Sequence, residues 1–434
     1  MTDPPIQNCG KCGLCLSVCP VYQVLKQEQA SPRARLQLIK AFEKNDLTAS
    51  PLLKDLVSQC LMCGACKVAC PSGINHYAKF MEMRRQLATA QPDPPAIRSL
   101  VYLLAKEYRL GMGAGLARFG QRLTPKFLAD KYRIGNIPVR RFPKMNPIPF
   151  RRTVPGTIPA KGPRRGRVVY FVGCATQYLF DDTGQATVDI LTCLGYEVVI
   201  PKGQTCCGIP MMFHGAGDRA ARNMAANLHA LAEAVDTGSC DAVIVDCTTC
   251  GAALKDEYPA LMDSLARRPD PASSRRQDPS LSEKLDALPP GIQTRIAGRT
   301  RDILSFIRDH QNLLEMRPDL ISDKVIYHAP CHTRNSFNAA GSVTDLFAAL
   351  PCFDYIPVPD TAACCGGGGT FFYEYPQIAA TMMAGKLTHA RAAGARYWLT
   401  DCPVCRINLH GSLSDTDAVT VAHPVTLISK GLKQ

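Results

Sequence analysis

The chain has 434 residues, 46% of them hydrophobic and 20% charged, which is ordinary globular composition and length enough for two to four domains. A net charge of +13 would suit a nucleic acid, an anionic surface or an acidic partner. No zinc-finger, RNA-recognition or basic-zipper pattern accompanies the charge, so a nucleic-acid role has no support.

The 21 cysteines are the outlying feature. The start, "MTDPPIQNCGKCG", lacks the basic and apolar regions of a signal peptide, and no stretch reaches the ~20 apolar residues that span a bilayer. The expectation is a reducing cytoplasm, where clustered cysteines point to metal.

Residues 1–95 hold two cysteine runs with one spacing. Cys9, Cys12, Cys15 and Cys19-Pro20 spell C-x2-C-x2-C-x3-C-P, and Cys60, Cys63, Cys66 and Cys70-Pro71 spell it again. This is the bacterial ferredoxin run, in which the fourth cysteine ligates the other cluster. The expected ligand sets for two [4Fe–4S] clusters are therefore Cys9, Cys12, Cys15 and Cys70, and Cys60, Cys63, Cys66 and Cys19. Three thiolates two residues apart lie on a tight loop, and Gly10, Gly13 and Gly64 are expected to permit close backbone approach and amide-to-sulfur hydrogen bonds. Paired four-cysteine zinc sites would instead combine two C-x2-C knuckles at longer separation. Between the runs, "SPRARLQLIKAFEKN" reads as a helix with Ser31 as N-cap and Pro32 at its first position.

Residues 96–166 read as an amphipathic helix over 96–122, interrupted by glycines, followed by a basic, Pro-rich, solvated linker. Such a helix could lie peripherally on an anionic membrane face or pack on a partner subunit. Its "GMGAGLARFG" does not match a dinucleotide fingerprint.

The rest of the chain repeats itself, in units expected at 167–316 and 317–434. Cys174 recurs as Cys331, Cys206 as Cys364 and Cys247 as Cys402, at offsets of 157, 158 and 155 residues. In both units β-branched runs alternate with helical stretches (218–234 and about 378–393), and cysteines follow the strand ends. This predicts two duplicated α/β domains with sites at the carboxyl ends of their strands. The polar segment 267–291 reads as a surface insertion.

Each unit carries a cysteine pentad: Cys174, Cys206, Cys207, Cys247 and Cys250, then Cys331, Cys364, Cys365, Cys402 and Cys405. Five thiols exceed the four of a cubane or a tetrahedral zinc. The paired cysteines should sit on turns supplied by Gly208 and by Gly366 to Gly369. Cys193, Cys240 and Cys352 lack ligand-like spacing and read as buried small hydrophobes. His332 reads first as a structural histidine and second as a metal or proton-transfer group, with His214 weaker still. The glycine run after Cys365 is no phosphate loop, because no Lys-Ser/Thr follows it. The chain thus offers no flavin or nicotinamide site of its own.

Two ferredoxin runs followed by two C…CCG…C-x2-C domains resemble the iron–sulfur subunit of FAD-linked glycolate oxidase and D-lactate dehydrogenase. "CPVYQVLKQEQASPRARLQLIKAF" and "QCLMCGACKVACPSGI" are the most specific stretches. Proteins of similar layout include the anaerobic glycerol-3-phosphate dehydrogenase C subunit and the heterodisulfide reductase D subunit. The resemblance implies a separate flavoprotein subunit that oxidises a 2-hydroxy acid, with electrons passing through this chain to a quinone or another acceptor. In the heterodisulfide reductase relatives such pentads bind noncubane [4Fe–4S] clusters for disulfide chemistry. Glycolate-type subunits often lack pentad cysteines, whereas both pentads are complete here. One or two further clusters, zinc, or no metal in these domains therefore all remain open.

Overall fold

The computed structural model describes residues 6–236, 240–266, 279–317, 319 and 322–433. Before Arg133 the described residues contain helices and no strand, the α-helices being α1 (Leu14–Ser17), α2 (Pro20–Leu25), α3 (Pro32–Glu43), α4 (Pro51–Ser58), α5 (Ala65–Val68), α6 (His76–Ala90), α7 (Pro95–Leu104), α8 (Glu107–Leu123) and α9 (Lys126–Lys131). Ser31 caps α3 as expected, its hydroxyl accepting from Ala34 N at 3.0 Å, with Pro32 at the first helical position.

A short antiparallel pair, β1 (Arg133–Ile134) and β2 (Ile137–Pro138), interrupts the linker. Beyond it stand two parallel sheets of one design. The first contains β3 (Thr157–Ile158), β4 (Gly166–Phe171), β5 (Tyr196–Val199), β6 (Cys240–Val245) and β7 (Thr300–Asp302), in the order β3-β5-β4-β6-β7 with only β3 antiparallel. The second contains β8 (Asp323–Tyr327), β9 (Phe353–Tyr355), β10 (Tyr397–Leu399) and β11 (Thr420–Ala422), in the order β11-β10-β8-β9. Setting β4 to β7 against β8 to β11 gives the same topology, so the repeated cysteine spacing reflects a repeated fold. In both sheets the strand order reverses between the first and third strands, the position where open α/β sheets bind ligands at their carboxyl ends.

The units are not separate beads. One face of the first sheet, with Val169, Phe171 and Val243, shares a buried core with Leu36, Phe80, Met83 and Ile97 of the N-terminal helices. Its other face, with Val168, Tyr170 and Ile244, shares a core with Val325, Tyr327 and Phe347 of the second unit.

Two expectations change here. Residues 96–122 form two helices, and the break falls at Ala105–Lys106 rather than at a glycine. Two of the four glycines inside α8 admit close neighbours: a Cβ on Gly113 would stand 3.1 Å from Leu103, and one on Gly111 would stand 3.3 Å from the Tyr178 hydroxyl, while Gly115 and Gly120 face open space. The linker is not merely solvated, since Ile137 and Phe150 are 0% and 1% exposed. Each fills space left by a glycine, Gly411 for Ile137 and Gly184 for Phe150. Of the polar segment 267–291, residues 267–278 lie outside the described residues. The following helix, Pro279–Asp286, buries Leu281 in a cluster with Ala221 and Ala225 of the helix Gly217–Asp236. No described helix is long and apolar enough to cross a membrane.

Residues Ala253–Glu257 form a π-helical turn continuous with the helix carrying Cys250. Glu257 is buried there, and desolvation, then the neighbouring Asp256, pushes its carboxyl up to about 8. An unfolded chain ionises this group from about pH 4. The folded chain therefore holds the extra proton between about pH 4 and 8, and its stability falls as pH rises through that window, by roughly 1.4 kcal/mol per pH unit. Thermal unfolding at pH 6 and pH 9 should show this decline, and Glu257→Gln should flatten most of it.

Candidate metal centres

The two ferredoxin runs fold into matching loops. Lys11 and Met62 occupy the left-handed region at φ 53° and 52°, each followed two residues later by a left-handed glycine, Gly13 at 86° and Gly64 at 76°. Gly10 does not supply this turn, because its φ is not positive. The cost of a left-handed lysine or methionine, about 1 kcal/mol, is accepted at the same place in both copies. That curls three cysteines around one point. Met62 N lies 3.4 Å from Cys60 Sγ, an amide-to-sulfur hydrogen bond of the expected kind.

Cys9, Cys12, Cys15 and Cys70 line one cavity, and Cys19, Cys60, Cys63 and Cys66 line another. The fourth cysteine of each run thus crosses to the other run's cavity. Within these sets the buried thiols resist ionisation. Burial and then Cys60 push Cys63 up to about 12, and burial pushes Cys15 up to about 11. Four thiols gathered around one cavity, whose thiolates would repel one another, suit a cationic metal core that deprotonates them together, so these residues fit two cubane clusters.

Arginines hold the loops. Arg35, 0% exposed, donates to Leu56 O at 2.9 Å and also to Gln59 O, while Arg84 donates to Ser58 O at 2.9 Å and Cys60 O at 2.7 Å. Both fix the chain entering the second cysteine run. Arg33 reaches Lys11 O at 3.4 Å in the first.

The pentads sit at the carboxyl ends of the strands. In the first, contacts run Cys174–Cys206–Cys207–Cys250–Cys247 without a gap. Gly208 adopts φ 92° after its cysteine pair, and Gly366 adopts 79° in the second, so both supply the expected turn. A Cβ on Gly173 would stand 2.9 Å from Cys250 Sγ, so only glycine lets the end of β4 approach the site this closely. In the second pentad Cys365 contacts Cys405, which contacts Cys402, while Cys331 and Cys364 lie beside them. Gly366 N lies 3.3 Å from Cys364 Sγ. One thiol of each adjacent pair is pulled down, Cys207 by hydrogen bonds from Cys206 and Cys250, and Cys365 by Cys405 and then His328.

His328 is a ligand candidate that cysteine spacing does not reveal. Its ring nitrogen lies within 4.8 Å of Cys365 and Cys405 Sγ, in a fully buried group able to hold a metal ion. The first unit has Phe171 at the corresponding position, so the two pentads differ. His332 is buried, with Nδ1 3.0 Å from Thr249 Oγ1 and Nε2 without a partner among the described residues. Burial holds its ring at about 4, hence neutral. His214 instead ties three segments together, at 3.0 Å from Asp93 Oδ2 and 2.7 Å from Thr370 Oγ1. Cys240 and Cys352 are buried as expected, but Cys193 is only half-buried.

A second repeated feature accompanies the cysteines. The residue before Cys247 is Asp246, which accepts from Tyr170 Oη at 2.8 Å and from Thr176 Oγ1. The residue before Cys402 is Asp401, which accepts from Tyr327 Oη at 2.7 Å and Thr333 Oγ1 at 2.6 Å. These buried triads anchor the strand ends that carry C-x2-C, and the aspartates share the offset of the cysteines that follow them.

The sulfur sites adjoin one another. Cys66 feels the charge of Cys15, Cys63 raises Cys331, and Cys402 raises Cys247. Asn335 Nδ2 donates to Cys63 O at 2.7 Å, and Thr249 Oγ1 lies 3.6 Å from Cys402 Sγ.

Residues 5–74 match the family described as a 4Fe–4S dicluster domain, and residues 168–255 and 325–410 match the cysteine-rich domain family. The chain is 26% identical over 433 residues to the probable glycolate oxidase iron–sulfur subunit of Bacillus subtilis, covering 94% of this chain and 89% of that one. It is 24% identical over 436 residues to the glycolate oxidase iron–sulfur subunit of Escherichia coli, covering 100% and 95%. It is 25% identical over 444 residues to the C subunit of the anaerobic glycerol-3-phosphate dehydrogenase of Escherichia coli, covering 100% of both chains.

Proposed function

We propose that this chain, an iron–sulfur protein with one dicluster domain and two cysteine-rich domains, is the electron-transfer subunit of a flavin-dependent 2-hydroxy-acid dehydrogenase. The hydroxy acid, D-lactate or glycolate, is oxidised on a separate FAD-bearing subunit, and a quinone or another acceptor takes the electrons. The complex works on the cytoplasmic side, as a soluble assembly or peripheral to the inner membrane. The domain division at residues 95, 166 and 316 belongs to the same reading, with 96–166 strapped onto both cysteine-rich units.

The observation that supports it is continuity. The two quartets exchange Cys19 and Cys70, Asn335 binds the Cys63 carbonyl, and Thr249 Oγ1 lies 3.6 Å from Cys402 Sγ, which joins four sulfur sites into one row. Cys9, Cys12, Cys15 and Cys70 would hold one cubane, and Cys60, Cys63, Cys66 and Cys19 the other. When bound, such clusters supply one-electron redox steps between a two-electron flavin and an acceptor. The chain's own part is to hold the thiolates and to fix the loop of the second quartet through Arg35 and Arg84.

A second reading has its own support. Both pentads are complete and adjoin each other, and His332 Nε2 is buried without a partner among the described residues. A heterodisulfide-reductase-like catalytic subunit would use such sites for disulfide chemistry. Turnover of a heterodisulfide, lost in Cys364→Ser, would favour it.

Iron, zinc and sulfide should be measured on anaerobically purified protein beside its EPR spectrum. The relay reading expects at least about eight irons per chain. Clearly more, toward about sixteen, would mean clusters in the pentads and would strengthen the catalytic reading. Zinc in place of those first eight irons would sink both.

A further inference from the structure

We propose that α8 is an interfacial membrane-binding helix that seats the first cysteine pentad beside an anionic lipid surface. Tyr108, Met112, Leu116, Phe119 and Leu123 are each between 59% and 74% exposed. At 100° per residue they fall within an arc of about 80° on the helix, so they form one stripe along its length. A bare apolar stripe of this kind on a folded chain marks a surface that something else covers.

The opposite face of α8 is occupied. Gly111 and Gly113 pack on Tyr178 and Leu103, and Leu110 joins the core shared with the N-terminal helices. Gln121 Nε2 donates to Pro143 O at 2.9 Å, and Gln121 Oε1 accepts from Met145 N at 2.9 Å. The helix is therefore fixed to the protein with its apolar stripe turned outward. Tyr102 of α7, 49% exposed with the Arg109 guanidinium 3.9 Å over its ring, widens the same surface.

Charge selects the occupant. Arg109 and Arg122 flank the stripe on its two sides, and the exposed Lys106 adds to them, while Arg118 is turned away onto Pro147 O. The one acid of the helix, Glu107, is already taken by Arg151 and by Tyr178 Oη at 2.8 Å. A convex apolar ridge rimmed by cations suits anionic headgroups over acyl chains. The same Glu107 contacts fix the geometry toward the redox sites. Tyr178 ends the short helix that Cys174 begins, so lipid contact at α8 brings that pentad to the bilayer face.

This inference stands whether or not the chain serves a hydroxy-acid dehydrogenase. The cluster-loaded protein should bind phosphatidylcholine vesicles containing phosphatidylglycerol at low salt, and bind pure phosphatidylcholine vesicles weakly. Leu116→Glu with Phe119→Glu should weaken the anionic binding by about tenfold or more, while the visible absorption of the clusters stays unchanged. Absence of vesicle binding by the wild type at low salt, or equal binding by the double variant, would overturn the proposal. So would loss of the flavoprotein partner from the double variant without vesicle binding by the wild type, which would assign the stripe to a protein interface.

Discussion

On the proposed relay, serine in place of Cys63 is expected to cut electron flow from the flavoprotein to the physiological acceptor by about 100-fold or more, while the flavoprotein still reduces an artificial dye. Cys63 shares a cavity with Cys19, Cys60 and Cys66, and it adjoins Cys331 and Cys364 of the second pentad. It is thus the point where the N-terminal sulfur sites meet those of the cysteine-rich units. Serine keeps the volume, and the left-handed backbone at Met62 and Gly64 does not depend on the thiol, so the fold should survive. A hydroxyl ionises far less readily than a thiol and makes a poor ligand for iron. The variant should lose the EPR signal of one cubane and keep the other. Cys193→Ser, in a half-buried thiol without ligand-like spacing, is the control and should leave both signals intact. Unchanged turnover with the physiological acceptor in Cys63→Ser would remove this chain from the electron path.

Much of this layout is legible in the sequence because the relevant rules are local or periodic. The grouping of thiols around two cavities follows from C-x2-C-x2-C-x3-C-P, and the strand order of the second sheet repeats that of the first as the cysteine offsets imply. What escapes the sequence depends on contacts between distant segments. A linker rich in Arg and Pro reads as solvated, yet Ile137 and Phe150 are buried because Gly411 and Gly184, far along the chain, leave room for them. Glycines in α8 read as helix breaks because nothing local announces their neighbours Leu103 and Tyr178. The left-handed turn falls on Lys11 and Met62 because loop closure around the cavity sets φ there, not residue preference. The aspartates are different. Asp246 and Asp401 precede equivalent cysteines, and aligning the two units residue by residue is enough to reveal both triads.

That same alignment separates the pentads and leads to the second large effect. In a chain whose pentads carry metal, His328→Phe, which copies Phe171 of the first unit, is expected to weaken metal retention at the second pentad by about 10- to 100-fold and leave the first unaffected. The His328 ring lies within 4.8 Å of Cys365 and Cys405 Sγ, and its Nδ1 has no hydrogen-bond partner among the described residues. Burial holds the ring pKa below its ordinary value, which favours the neutral form that can ligate or hydrogen-bond a metal-bound thiolate. Phenylalanine is close in volume and apolar, so it should be accommodated while removing both ring nitrogens. Graded chelation followed by cysteine alkylation and peptide mapping would read the two pentads separately. Cys365 and Cys405 should become reactive at lower chelator concentration in the variant, with Cys207 and Cys250 unchanged. Equal retention at both pentads would mean that His328 only packs, and that the second unit holds metal by cysteines alone, as the first would.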